Sequence, residues 1–462
     1  MKKQLTVGGL FDAEGLADGM VGGGLSAAAG RNKAGLFAEC GSALRTLGVS
    51  EKAVVRVFFV PGRIEVLGKH TDYAGGRSIV AAVEMGFCIA AAGREDGVVR
   101  IVNTLGGEQA EFDTEGKTQA VGGNWSRYAT AVLGRVAKNF PGGLRGADIA
   151  FASDLPAAAG MSSSSALMVG FFLVLSAHNK LELRGEYRSN IRAVEELAGY
   201  LGTVENGQSF GTLAGDKGVG TFGGSEDHTA ILCCKAGCLS QYSYCPVRLE
   251  RTIEFPKGMV FAVASSGVAA EKTGEAMARY NRISELSRCA TEVWNRTTGR
   301  TDAHLAAAIA GSGGGALRVR EILTRGRRER FGSEEMLRRF EHFFAENEQI
   351  IPAAGEALAG GDIKEFGRQA ARSQELAERL LENQVAETVF LARSARQLGA
   401  CAASAFGAGF GGSVWALTEV DKGEKLVAEW SSVYREQFPA AAERAGFSLT
   451  RAGPAAFKLE AF

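Results

Sequence analysis

Apolar positions along the chain fall into short runs separated by charged and glycine-rich stretches. "VVRVFFV" (Val54–Val60) and Ser78–Ala92 are dense in β-branched and small apolar residues, and predict strands. From Trp125 to Phe140 the period changes. Tyr128, Val132, Leu133, Val136 and Phe140 share one helical face, which ends at Pro141-Gly142. Ala147–Ser153 predicts a strand that enters a Pro/Gly/Ser loop. An apolar helix leaves that loop over Ser163–His178, and a second helix is predicted over Tyr187–Val204. Residues 206–226, "NGQSFGTLAGDKGVGTFGGSE", form a glycine-rich loop, followed by strand-like "TAILCC" and a strand pair. Charge-rich helical stretches occupy roughly 269–300 and 316–398, and "FGAGFGGSVWALTEV" (406–420) is a glycine turn opening into a strand. Residues 1–50 are Gly/Ala-rich, with a helix near Ala34–Leu47, while "DGMVGGGLSAAAGRNKAG" reads as a mobile lead-in or loop. The pattern changes at "YCPVRLERTIEFPKG", near 245–258. The implied division is an extension over 1–50, one domain over 51–250 and another over 251–462, without an internal repeat.

Composition narrows the class. Of 462 residues, 46% are apolar and 23% charged, which reads as globular and soluble. Lys+Arg and Asp+Glu each total 52, so charge points to neither nucleic acid nor a membrane surface as partner. Cys233, Cys234, Cys238 and Cys245 lack the paired spacing and nearby histidines of a zinc site, and read as buried small hydrophobes. Scattered thiols suit a reducing cytoplasm, and neither a signal peptide nor an 18-residue apolar run is visible.

Two stretches match G-x-G-x-x-G, at Gly218–Gly223 and Gly407–Gly412. The dinucleotide fingerprint needs a strand before the glycines and a helix after them, and neither stretch meets that pattern. A better phosphate candidate is "PAAAGMSSSSALMVG" (Pro156–Gly170), where small residues admit backbone N–H groups, hydroxyls can donate or ligate a cation, and a helix begins. The alternative is a serine-rich N-cap. "PGRIEVLGKHTDYAGG" (Pro61–Gly76) gathers Arg63, Glu65, Lys69, His70 and Asp72 into one turn between glycines. Such fixed donors and acceptors suit sugar hydroxyls. Alone, the stretch reads equally as a solvated turn with a local ion pair.

Together these stretches resemble the GHMP kinases, the galactokinase branch above all. "GRIEVLGKHTDY" is similar to the family's first motif, "PAAAGMSSSSA" to its second, and Gly407–Gly412 carries its third, G-A-G-F-G-G. "GGSEDH" and "ARYNRISE" are similar to two further family patterns. The resemblance implies an α+β, two-domain fold: an N-terminal domain like domain 2 of ribosomal protein S5, and a ferredoxin-like C-terminal domain. It implies ATP-dependent phosphorylation of the anomeric (C1) hydroxyl of galactose or a close relative. Asp227 matches the catalytic base and Arg63 the arginine that holds it. Lys69, His70, Asp72, Gly224 and Tyr280 match sugar-pocket positions. Pro156, Gly160, Ser162, Ser163, Ser164, Ser165, Gly409 and Gly411 match the ATP-binding loops, and Ser164 and Glu205 the Mg²⁺ ligands, with Glu195 and Glu196 as rivals. ATP and Mg²⁺ are the implied cofactors and a small sugar the implied partner.

This chain departs from the family at Glu65, where an asparagine is usual, at Lys69, where a glutamate is usual, and at His228, where a glutamine is usual. Lys69 facing a C6 carboxylate would make the substrate a uronic acid. A non-catalytic sugar and ATP sensor should have lost Asp227, Arg63 or the serine loop, and a mevalonate- or homoserine-type kinase would lack the H-T-D-Y turn.

Overall fold

The computed structural model describes residues 4–115, 117–120, 123–156, 160–269, 274–311, 313–325 and 330–460. Two helices, α1 (Ala13–Gly22) and α2 (Ala27–Thr46), open the chain, followed by the long strands β1 (Val55–Leu67) and β2 (Arg77–Gly93). Next come β3 (Val98–Asn103), β4 (Gln109–Asp113), β5 (Thr118–Ala120), α3 (Ser126–Asn139), β6 (Ala147–Ser153) and α4 (Ser163–Asn179). Helices α5 (Gly185–Asn190), α6 (Val194–Asn206) and α7 (Glu226–Cys233) lead to the hairpin β7 (Cys238–Ser243) and β8 (Arg248–Glu254). After β9 (Met259–Ser265) the chain is helical through α8 (Gly274–Thr298), α9 (Leu305–Gly311), α10 (Gly315–Arg325), α11 (Ser333–Phe344), α12 (Ile351–Ala359), α13 (Ile363–Leu376) and α14 (Ala386–Gln397). It ends with β10 (Ala402–Phe406), β11 (Ser413–Glu419), α15 (Gly423–Gln437), α16 (Pro439–Ala442), β12 (Gly446–Thr450) and β13 (Phe457–Leu459).

These strands form two sheets. The nine-stranded sheet runs β13-β1-β2-β6-β3-β4-β5, with the β7–β8 hairpin attached to β2. Its β3–β6 pair is parallel and the rest antiparallel. The four-stranded sheet runs β10-β11-β9-β12 and is antiparallel throughout.

The unbroken apolar run of β1 follows from burial on both faces. Phe58 and Val60 join a core with α3, α4 and α6, while Val57 and Phe59 join one with α1 and α2. Residues 18–35 are therefore not a mobile lead-in, being mostly helical in α1 and α2, while the helix expected near Ala34–Leu47 is the second half of α2. Asp12 caps α1 by accepting from the Gly15 N–H (3.0 Å), and Ser26 caps α2 by accepting from the Ala29 N–H (3.3 Å). Gly30 is small because the two helices meet there: a Cβ would lie 2.9 Å from the Ala17 carbonyl.

Three other expectations are corrected. The "PGRIEVL" segment is strand, not turn, because β1 bulges at Pro61 and then resumes pairing with β2 at Arg63. "TAILCC" lies largely in helix α7, where Ala230 and Ile231 are fully buried; a run this short cannot declare its period. The helix foreseen over Tyr187–Val204 is two, because the Glu196 carboxylate accepts from the backbone of Arg192 and Ala193 and restarts the chain as α6. Strand β6 and helix α4 lie where the pattern puts them.

Ile64, Val66 and Ile79 pack with Phe261, Val263 and Trp415, so the far end of the first sheet and one face of the second share a core. The polar cleft opens beside this junction. Helices α8–α11 form a separate cluster that packs on Tyr73 and Ala74, next in the chain to Asp72 of the cleft. No helix among the described residues is long and apolar enough to cross a membrane.

Candidate active site

A narrow polar cleft is lined by Arg63 and Glu65 from β1, His70 and Asp72 from the following turn, Glu205 from α6, Gly223 and Gly224, Glu226, Asp227 and His228 from α7, Tyr280 from α8, and Gly407 and Ala408. Arg63 is its hub. Its Nε donates to Asp227 Oδ1 at 2.8 Å, its Nη2 is ion-paired with the same oxygen at 2.7 Å, and its Nη1 donates to the Gly160 carbonyl at 2.7 Å. One buried guanidinium thereby orients a carboxylate and anchors the serine loop. Burial alone would lower its pKa, but Asp227, Glu226 and Glu65 together hold it above its usual value.

The turn after β1 is equally fixed. His70 Nδ1 lies 2.9 Å from the Tyr73 hydroxyl and its Nε2 3.0 Å from the Ala408 carbonyl. Arg339 on α11 donates to the His70 carbonyl. Asp72 accepts from the N–H of Tyr73 (2.8 Å) and from that of Glu226 (3.1 Å). Gly224 must be glycine, because a Cβ would sit 2.4 Å from Asp72 Oδ2. Tyr280 stands over this corner, its ring centroid 5.1 Å from that of His70.

Ser165 is fully buried, and its hydroxyl reaches both Glu205 Oε2 (2.8 Å) and Asp227 Oδ2 (3.3 Å). Ser163 and Ser164 are half-buried at the first turn of α4. The reading of this loop as a serine N-cap fails. Ser162 takes the capping position in a left-handed conformation (φ +58°) and its side chain makes no capping bond. The α4 amides keep their capacity for an anion. Pro156 precedes Ala157–Ala159, which lie outside the described residues. Gly160 faces the third glycine loop, where a Cβ would lie 3.7 Å from the Gly412 Cα. Gly409 and Gly411 have φ of +80° and +134°, and a Cβ on either would collide with Asn383 or with the Val268 carbonyl. That loop is the β10–β11 hairpin turn, and Gly218–Gly223 precedes a helix but follows none of the strands. Neither is a dinucleotide fingerprint.

Glu205 is 5% exposed, and its oxygens also accept from Thr221 Oγ1 (3.2 Å) and approach His228 Nε2 (3.5 Å). Glu196 is committed to capping the start of α6, and Glu195 shares that first turn, at the opposite end of the helix from Glu205. Among the described residues no group of three or more His, Cys, Asp or Glu is arranged to hold a metal, zinc included.

Lys69 is the correction at this site. Its side chain is fully buried and does not line the cleft. Nζ turns away and donates to Ser404 Oγ (2.8 Å) and Ser373 Oγ (3.0 Å). Conversely, the sequence reading passed over Glu226 as a member of the site. It is 4% exposed, 3.8 Å from Arg63 Nε, and lines the cleft together with Glu65. Its place directly before Asp227 was the available signal.

Three family models match the chain: "Galactokinase galactose-binding signature" over residues 46–93, "GHMP kinases N terminal domain" over 127–209 and "GHMP kinases C terminal" over 354–436. The galactokinase of Chloroflexus aggregans is 27% identical over 391 residues, covering 83% of this chain and 89% of that relative. The galactokinase of a Roseiflexus species is 27% identical over 395 residues, covering 84% and 89%. Among solved structures, Lactococcus lactis galactokinase complexed with galactose superposes with a TM-score of 0.72 at 23% identity, covering 90% of this chain and 98% of that one. A mevalonate kinase gives 0.51 at 15% identity, covering 86% and 99%. With matches running from the first sheet through the helices around the second, the chain belongs to the GHMP kinase superfamily, has its two-domain fold, and is galactokinase-like.

Proposed function

We propose that this chain is an ATP-dependent sugar kinase that phosphorylates the C1 hydroxyl of galactose or a close relative. The observation that carries the reading is the Arg63–Asp227 pair, whose guanidinium also grips the serine loop at Gly160. It joins the base to the loop that would hold the phosphates. Asp227 accepts the proton of the attacking hydroxyl, and Arg63 keeps its carboxylate ionised and oriented. His70, Asp72 and Tyr280 position the sugar, with Gly224 leaving room for Asp72.

ATP lies at the start of α4, along Pro156, Gly160, Ser162, Ser163, Ser164 and Ser165, against the Gly409–Gly411 turn. The uncapped α4 amides and the left-handed glycines fit a polyphosphate. Ser164 and Glu205 offer only oxygen donors, the set that Mg²⁺ takes. When bound, Mg²⁺ neutralises charge on the phosphates, and the protein's share of the catalysis is positioning.

Lys69, engaged with two buried hydroxyls, lends no support to a uronic acid. The division into 51–250 and 251–462, preceded by 1–50, remains our proposal. Its support is the change of sheet between Glu254 and Met259. The reading is tested by ATP consumption against galactose, arabinose, galacturonate, glucuronate and N-acetylgalactosamine, with the phosphorylated carbon assigned by NMR. Turnover confined to uronates, or on none of these sugars, would overturn it.

A further inference from the structure

Five carboxylates line the cleft, Glu65, Asp72, Glu205, Glu226 and Asp227, against the single guanidinium of Arg63. Asp72, Glu205 and Asp227 have the tasks given above. Glu65 and Glu226 have none, and each is only 4% exposed. Both line the same cleft, and each raises the cost of a negative charge on the other. Arg63 is their shared cation but is engaged closely elsewhere, with Asp227 and Gly160 at 2.7–2.8 Å against 3.8 Å to Glu226. Glu65 Oε1 is buried and has no hydrogen-bond partner among the described residues, although Glu65 borders the cleft. Leaving such an acceptor unanswered costs free energy comparable to a lost hydrogen bond. It marks a place where a donor belongs. Burial, moderated by Arg63 and Lys69, leaves the Glu65 pKa at about 7, and burial next to Glu65 and Asp72 raises that of Glu226. Two negative charges side by side are therefore disfavoured, and a cation on the substrate would relieve that cost.

We propose that Glu65 and Glu226 form a subsite for a positively charged amine on the substrate, next to the reacting hydroxyl, so that the preferred acceptor is a 2-amino sugar. The inference rests on the sugar-kinase reading and specifies its substrate class. An ammonium brings up to three donors, enough for Glu65 Oε1 and for Glu226 at once, where a hydroxyl brings one. It also offsets the excess of carboxylates, whereas a uronate would add to it. The placement follows from Arg63, which lies 2.8 Å from Asp227 Oδ1 and 3.8 Å from Glu226 Oε1. Asp227 and Glu226 thus flank one guanidinium, which puts the subsite beside the reacting hydroxyl, in reach of the substituent on the neighbouring carbon.

The test is kcat/KM of the full chain on 2-amino-2-deoxygalactose, galactose, N-acetylgalactosamine and 6-amino-6-deoxygalactose, before and after Glu65→Gln and, separately, Glu226→Gln. The 2-amino sugar should exceed the other three by tenfold or more, and its ratio to galactose should fall at least tenfold in either variant that remains folded by circular dichroism. A ratio near one in the unmodified chain, a ratio unmoved in the folded variants, or preference for the 6-amino sugar would overturn the proposal. If none of the sugars turns over, the kinase reading fails on its own. Calorimetric titration then decides the subsite: at least tenfold tighter binding of the 2-amino sugar than of galactose supports it, and equal or absent binding overturns it.

Discussion

The ammonium of Lys69 lies 2.8 Å from the hydroxyl of Ser404, which pins the turn carrying His70 and Asp72 to the second sheet. Ser373 and Ser404 can both accept from Lys69, because each donates elsewhere: Ser373 to Glu346 Oε1 (2.9 Å) and Ser404 to Gln374 Oε1 (3.2 Å). Glu346 Oε1 also accepts the Gly68 N–H at 3.0 Å. One residue of the first motif thereby closes a buried polar network between the two sheets and helix α13.

Lys69→Met keeps the buried stem and removes both charge-assisted bonds. It should lower stability by roughly 1.5–3 kcal/mol, read as a shifted urea midpoint at unchanged slope. The preference for galactose over galacturonate should stay where it was. A variant as stable as the unmodified chain, or one with a changed sugar preference, would contradict the latch.

The direction of Lys69 was not legible in the sequence, because its partners stand more than 300 residues away and nothing local announces them. Strand β6 and helix α4 were legible because each is a run whose length and flanks fit a single element. Helix α1 and the first half of α2 were misread for a different reason. Their glycines serve close packing, as at Gly30 against Ala17, and in one dimension this looks like flexibility. The convergence of Arg63, His70, Asp72 and Asp227 was legible only through the combination of motifs. The Glu65–Glu226 contact joins β1 to α7, and only the fold brings it together.

Asp227→Asn removes the proton acceptor and leaves the serine loop in place. Turnover should fall by about 10²–10⁴-fold while ATP binding changes little. Single-turnover kinetics with nucleotide titration separates the two effects. Activity within a few-fold of the unmodified chain would refute the assignment of Asp227 as base.

Replacing Ser163 and Ser164 together by alanine tests the loop. Neither hydroxyl is needed to cap α4, since even Ser162 makes no capping bond, so the fold should tolerate the change. The KM for Mg·ATP should rise well beyond any change in the KM for sugar. Equal changes in both constants, or none, would remove the loop from the nucleotide site.

The last expectation concerns pH. Buried Glu65, beside Arg63, Lys69, Asp227 and Glu226, has its pKa raised from 4.5 to about 7. Below pH 4.5 it holds its proton in both the folded and the unfolded chain. Between pH 4.5 and 7 the unfolded chain releases that proton and the folded chain keeps it. Stability must fall as pH rises through this window, and the loss levels off once the folded state has also ionised. The shift corresponds to about 3 kcal/mol at most, and to less where Glu226 shares the proton. Glu65→Gln abolishes this titration, and carboxylates other than its neighbour Glu226 titrate alike in both proteins. The stability difference, variant minus unmodified chain, should therefore grow with pH from 4.5 to 7 and then flatten. Urea unfolding across that range, without nucleotide or sugar, measures it. A difference that is constant with pH would mean that Glu65 ionises in the folded chain as an ordinary carboxylate does, and that the pair holds no proton to exchange for a substrate's amine.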